Sequence, residues 1–403
     1  MDMRLLALAT VSALTVTACA GIGDRAAKPD ESTTTEPIPA TTTTDATIPA
    51  NLDGPSALYD ISNPGPPTPL VDPEAIISGG PPPDGIPPID SPQFVSVSEA
   101  DEWLDDQEGV VYLTVGTETH AYPVQILIWH EVVNDVVAGV PVSVTYCPLC
   151  NSAVSYERTI GVHVTTFGTS GRLYASALVM YDRLTESLWT HYDGRAVAGV
   201  LTGHELVRIP SPLLAWSDLK QSFPDALVLD RDATGHNRRY GSNPYVGYDD
   251  PDGFPFLFNG TADDRARAMQ RVVGVELDGE STAWPLDSIS GGSAKATHGF
   301  VGDVEVVIFW KSGQVSAVEG GGVGSGRDVG SVGVYSPFVA GSALTFVARG
   351  DGFLDLETDT TWDITGRAIE GALQGSILEQ VHHFDTFWFA WATYRPNTVL
   401  VEG

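Results

Sequence analysis

Two cysteines three positions apart, Cys147 and Cys150, stand in the stretch VSVTYCPLCNSAVSYER at 142–158 and are the residues best suited to chemistry in this chain. Pro148 between them lacks an N–H and fixes one backbone angle, so the turn is stiff and holds the two sulfurs near each other. Such a pair can exchange electrons with a disulfide, Cys147 attacking and Cys150 resolving, or supply two soft ligands to a metal ion. A disulfide across so short a loop adds little to fold stability, so an inert structural bond is the weakest of the three uses.

A metal site needs further ligands, because a closed zinc site takes four. His130, His163 and His120 are the candidates, and His130 is favoured because it lies a hairpin away from the cysteine strand. Copper would suit the thiolates, with Met180 as a further soft donor. Zinc or copper is thus the cofactor of this second reading, whereas redox chemistry needs none.

Other signals are weaker. Ser170 lies between glycines, with Asp182 and His191 as imaginable triad partners, but the nucleophile-elbow pattern is missing and a turn is expected. The glycine-rich run 320–333 has no following Lys-Ser or Lys-Thr to hold a phosphate, and the Asp230, Asp232, Thr234 sequence has Gly241 where a calcium loop would close with Glu. Arg172, Asp182 and Arg183 are candidates to line the region of the cysteine pair, with solvated surface charge the favoured reading of each.

The elements around the cysteines read as strands. Val142, Val144 and Tyr146 alternate with Ser143 and Thr145, the period of a strand with one buried face. Short β-branched or aromatic runs at 110–115, 120–122, 131–137, 153–158, 163–167 and 177–181 predict more strands. A thioredoxin-like site wants a helix directly after the pair, and here a turn and a strand are expected instead. Two helices are predicted, a short one over 97–104 capped by Ser98, and one over 212–222 with Leu213, Leu214, Trp216 and Leu219 on one face. The expected class is mainly β with a few short helices, α+β.

The chain has 403 residues, 42% of them hydrophobic, with mean hydropathy +0.01, which excludes a polytopic membrane protein. Its net charge of −31 disfavours nucleic acid as a partner. Residues 1–18 read as a lipoprotein signal peptide, with Arg4 before an apolar run too short to span a bilayer. The cleavage context Val16-Thr17-Ala18-Cys19 resembles a bacterial lipobox, which makes Cys19 the lipidation site and the membrane a partner through that lipid. The expected location is extracytoplasmic, on the outer face of the cell membrane. Residues 19–53 form a Thr- and Pro-rich tether with almost nothing apolar to bury, and 54–96 a Pro-rich extended segment.

The remainder reads as an internal repeat. GRAVAGVLTG at 194–203 recurs as GRAIEGALQG at 366–375, and Leu206, Trp216, Pro224 and Leu227 match Leu378, Trp388, Pro396 and Val399 at one constant offset. Two β-rich copies, 97–232 and 272–403, joined by a connector at 233–271, predict a pseudo-twofold body. With 142–146 laid on 304–308, the second copy has Phe309-Trp310-Lys311-Ser312 and neither cysteine. A pair needed only for folding would be expected in both copies, so it reads as a site added to a shared scaffold.

The runs TYCPLCNSAVSYER, FGTSGRLYASALVMYDRLTESLWTHYDGRAVAG, TGHNRRYGSNPYVGY and FWFAWATYRP resemble a bacterial and archaeal family known as domain-of-unknown-function family 3179, over nearly all of 97–401. Some of its members are selenoproteins. Selenium in place of sulfur implies a redox or nucleophilic role, and the resemblance puts the site at Cys147 and Cys150 with His130, Glu131, Asn134 and Asp135 nearby. The expected function is a thiol-disulfide redox centre with a protein thiol or disulfide as partner. A metal-binding envelope protein and a non-enzymatic scaffold are the alternatives.

Overall fold

The computed structural model describes residues 48–49 and 51–402. The signal peptide, Cys19 and most of the tether lie outside the described residues. Among those described, strands dominate and no helix is long and apolar enough to cross a membrane.

The cysteines are carried by three antiparallel strands, Val132–Val137, Val140–Cys147 and Ser152–Glu157. The first two meet at Ala138 and Gly139, with φ of 48° and 82°, the doubly positive turn whose twist suits a two-residue hairpin. Before them runs the hairpin Gly109–Val115 with Glu118–Pro123, followed by the helix Val124–His130. That helix gave no signal in the sequence. VQILIWH is almost wholly buried, so it has no polar face from which a helical period could be read.

A five-stranded sheet packs beside the cysteine strands and contains Phe167–Tyr174, Ala177–Asp182, Leu188–Thr190 and Ala196–Ala198, with Ile76–Ser78 on one edge. The proline-rich segment thus belongs to the folded body, since Phe94–Ser96 also pairs with Leu227–Leu229 and Ile89 is buried. The first short helix spans only Val97–Ala100. Its cap is Ser96, not Ser98, because Ser96 and Glu99 close a reciprocal capping box. The second begins at Trp216, not near Pro212, because Leu213–Ala215 extends along Gly109–Val115 as an edge strand.

Two four-strand sets have the same order. Leu213–Ala215, Gly109–Val115, Glu118–Pro123 and Leu227–Leu229 lie side by side in one sheet, and His383–Phe387, Arg271–Leu277, Glu280–Pro285 and Val399–Leu400 in another. In each, the last strand runs parallel to its neighbour and a seven-residue helix, Trp216–Ser222 or Trp388–Tyr394, follows the first. Buried Asp182 accepts from the backbone N–H and hydroxyl of Thr185 and from Trp189 Nε1 at 2.8 Å. Buried Asp355 accepts from the same groups of Thr358 and from Trp362 Nε1 at 2.9 Å. Gly194 and Gly366, at φ of 66° and 74°, each press against a tyrosine ring, Tyr156 and Tyr335. A side chain at either would meet both a strained backbone and the ring.

Val140 faces Val137 at one hairpin tip and Val304 faces Val301 at another, and counted from those tips Cys147 and Lys311 hold the same position along their strands.

Both cysteines lie in a single apolar cluster with Tyr146, Tyr192, Phe384, Phe387 and Trp391. Tyr192 is stacked between Phe384 and Tyr394, with ring centroids 4.5 Å away on each side, and so ties the two parts of the chain together at the site.

Candidate active site

Cys147 is the last residue of its strand and pairs with Ser152, the first residue of the next, so residues 148–151 form the connecting loop. Asn151, at φ 49°, turns the chain directly into a strand, and no helix follows the pair. Both cysteines are unbonded to each other and buried, Cys147 at 1% and Cys150 at 0% exposure. They differ electrostatically. Burial pushes the Cys147 thiol up, but the neighbouring Cys150 thiol and the N–H groups of Cys150, Leu178 and Leu149 outweigh it and hold Cys147 below its ordinary value. Burial and the adjacent Cys147 push Cys150 well above its own. Cys147 is therefore the better thiolate and Cys150 the better proton holder.

A chain of hydrogen bonds leads away from Cys150. Its Sγ lies 3.0 Å from Ser152 Oγ, which lies 2.7 Å from His191 Nε2, and His191 Nδ1 lies 2.7 Å from Thr145 Oγ1. The Thr145 hydroxyl donates to the Val154 carbonyl at 2.6 Å, so it must accept from His191 Nδ1–H. His191 Nε2 is then an acceptor for the Ser152 hydroxyl, whose oxygen is left to accept the Cys150 S–H. Cys150, Ser152, His191 and Thr145 all have 0% exposure, and burial pushes His191 down to about 3, which keeps it neutral.

Three walls cover the pair. Glu131 ends the helix Val124–His130 with φ 59°, and burial, with Cys147 nearby, pushes its carboxyl up to about 8. The stretch 233–270, free of helix and strand, lays Tyr245 and Tyr248 against the same cluster. Tyr248 OH donates to the Leu149 carbonyl at 2.9 Å and accepts from Phe256 N at 3.2 Å, which fastens this stretch to the cysteine loop. From the far part of the chain, Thr386 Oγ1 and Phe387 N donate to the Cys150 carbonyl at 2.7 and 3.2 Å, and Asn151 Nδ2 donates to the Asp385 carbonyl. Arg271 holds the Asp385 carboxylate at 2.6 Å.

Of the other residues singled out in the sequence, Glu131 is brought to the cysteines and His130 is not. His130 Nδ1 lies 2.6 Å from the Pro87 carbonyl and Nε2 2.7 Å from Tyr240 OH, so both ring nitrogens are occupied elsewhere. His120 bonds Asp135 at 2.7 Å, His163 is exposed on a two-residue strand, and Met180 packs in the core. Among the described residues, no group of three or more His, Cys, Asp or Glu side chains is arranged to hold a metal ion. Asn134 bonds Asp90 and the Phe167 backbone, and Arg183 bridges Asp84 and Asp90. Ser170 donates to the Val179 carbonyl and Asp182 serves Thr185 and Trp189, so neither forms a triad with His191. Ser152 and Thr145 escaped the sequence reading although both lie within two residues of a cysteine. His191 is far off in the chain, and nothing in the spacing around the cysteines points to it.

The fold and the site define a mainly β protein with a buried pair of cysteines at a strand-to-strand turn. The chain belongs to the family of proteins of unknown function DUF3179, whose family model matches residues 83–398. No curated protein and no solved structure matches it.

Proposed function

We propose that this is an extracytoplasmic, lipid-anchored thiol-disulfide redox protein whose centre is Cys147 and Cys150, carried on the first of two copies of one β unit with a pseudo-twofold relation. The observation that carries the redox reading is geometric: two free thiols sit at either end of one four-residue segment at a strand-to-strand turn, with the Cys150 sulfur 3.0 Å from the Ser152 hydroxyl. The Cys147 thiolate attacks one sulfur of a partner disulfide and expels the other as thiolate. Cys150 then attacks Cys147 Sγ, closes the Cys147–Cys150 disulfide and releases the second partner thiolate, so two electrons pass to the partner. The shared sheet order and the matching Asp182 and Asp355 environments support the two-copy reading. The lipobox-like Ala18-Cys19 supports the membrane anchor.

The test is an intact mass spectrum of the full chain before and after mild reductant, with a Cys150→Ser variant exposed to envelope proteins. A loss of two hydrogens on oxidation, together with a partner trapped on Cys147 in the variant, is expected. Thiols that stay free under oxidant, with nothing trapped, would remove the redox reading.

A further inference from the structure

We propose that Ser152 is a catalytic residue of the resolving step and His191 the positioning residue behind it, the two forming the route by which the Cys150 proton leaves. This rests on the redox reading above. With Cys147 joined to a partner sulfur, Cys150 must lose its proton as it attacks, and it is walled off from water. The oxygen 3.0 Å away is Ser152 Oγ, whose own proton is directed at His191 Nε2. As the Cys150 sulfur forms its bond to Cys147 Sγ, its proton passes to Ser152 Oγ and the Ser152 proton to His191 Nε2. The partner sulfur leaves with the electron pair, and His191, which burial keeps neutral at rest, holds the proton only until that departing sulfur takes it, so the products are the Cys147–Cys150 disulfide and a neutral partner thiol. Thr145 fixes the direction of the whole route, because its hydroxyl is committed to Val154 and can only accept from His191 Nδ1–H.

The second half of the chain is a built-in control. Tyr156 OH donates to the His191 carbonyl at 2.7 Å and Tyr335 OH to the Ile364 carbonyl at 2.6 Å, so Ile364 stands where His191 does. Lys311 pairs with Ser331 as Cys147 pairs with Ser152, and Phe309 then falls at the place of Thr145. The serine is present in both halves, and there Ser331 donates to Asp218 at 3.0 Å. The imidazole and the threonine occur only where the cysteines do. Two buried polar groups that served packing alone would have no reason to come and go with the thiols, since an isoleucine and a phenylalanine fill the same places without needing hydrogen-bond partners.

The test uses the full reduced chain and dithiobis(nitrobenzoate), an aromatic disulfide whose thiolate is coloured, in stopped flow. Wild type is expected to release a first thiolate as Cys147 attacks and a second as Cys150 resolves. His191→Gln and Ser152→Ala are expected to slow the second phase by about a hundredfold or more relative to the first, the lower range for a lost proton-transfer group. Because either variant could fail to fold, the wild type is also run in deuterium oxide, where slowing confined to the second phase is expected. A second phase at the wild-type rate in folded variants, equal slowing of both phases, or no solvent isotope effect on the second phase would each overturn the assignment. A wild type that releases no thiolate when folded but two when unfolded would instead overturn the redox reading on which it rests.

Discussion

Replacing Glu131 by Gln tests the electrostatics of the site. The Glu131 carboxyl is 7% exposed and pushed from an ordinary value near 4.5 to about 8. Between those two pH values the folded chain keeps a proton that the unfolded chain has lost. The stability this represents is fully present below pH 4.5 and is lost as pH rises through 8, and the amount is at most on the order of 5 kcal/mol. Glutamine cannot ionise and loses nothing over that range. Its backbone at φ 59° carries the same strain, so that cost cancels in the comparison. Urea unfolding of both full-length proteins under reductant, at steps from pH 4.5 to 9, should show the variant gaining on wild type steadily with pH, by about 2 to 4 kcal/mol overall once water entry on ionisation is allowed for. With no carboxylate beside the thiolate, Cys147 of the variant should also alkylate faster than wild type above pH 8. Parallel stability profiles, or a variant that loses ground as pH rises, would refute the claim that this carboxyl is held neutral by its surroundings.

Asp182→Asn and Asp355→Asn each turn an amide N–H toward donors that now bond a carboxylate, and each should cost about 2 to 4 kcal/mol in urea unfolding. The two costs should agree within about 1 kcal/mol, and a large inequality would argue against equivalent roles in the two halves. Tyr248→Phe removes the bonds to Leu149 O and Phe256 N. It should loosen the 233–270 stretch by about 1 to 2 kcal/mol and speed maleimide labelling of the cysteines about tenfold, and an unchanged labelling rate would show that access lies elsewhere.

The cysteine strand was readable because apolar and polar residues alternate along it, although the structure buries both of its faces, Ser143 and Thr145 included, where one buried face was expected. The cysteine strand and the strand after it fall within two residues of expectation at each end. Val124–His130 was unreadable for the opposite reason, being apolar on all sides. The cysteine pair announced itself by chemistry and spacing. Its partners did not, because the residues that serve it arrive by folding. His191 reaches Thr145 and Ser152 from a neighbouring sheet, and Glu131 reaches Cys147 only because a helix ends there in a left-handed residue. His130, adjacent in sequence to Glu131, points the other way and is claimed by Pro87 and Tyr240, residues that no periodicity connects to it.

The contact between Thr386 and the Cys150 carbonyl joins residues 236 positions apart. The loop that holds the sulfurs thus acquires its last wall only when a strand made much later arrives. A chain emerging from a translocon would present Cys147 and Cys150 bare for as long as synthesis takes to reach His383–Phe387. Contacts of such long range also form slowly. If the protein is exported as proposed, these thiols would be open to oxidation before the fold closes over them.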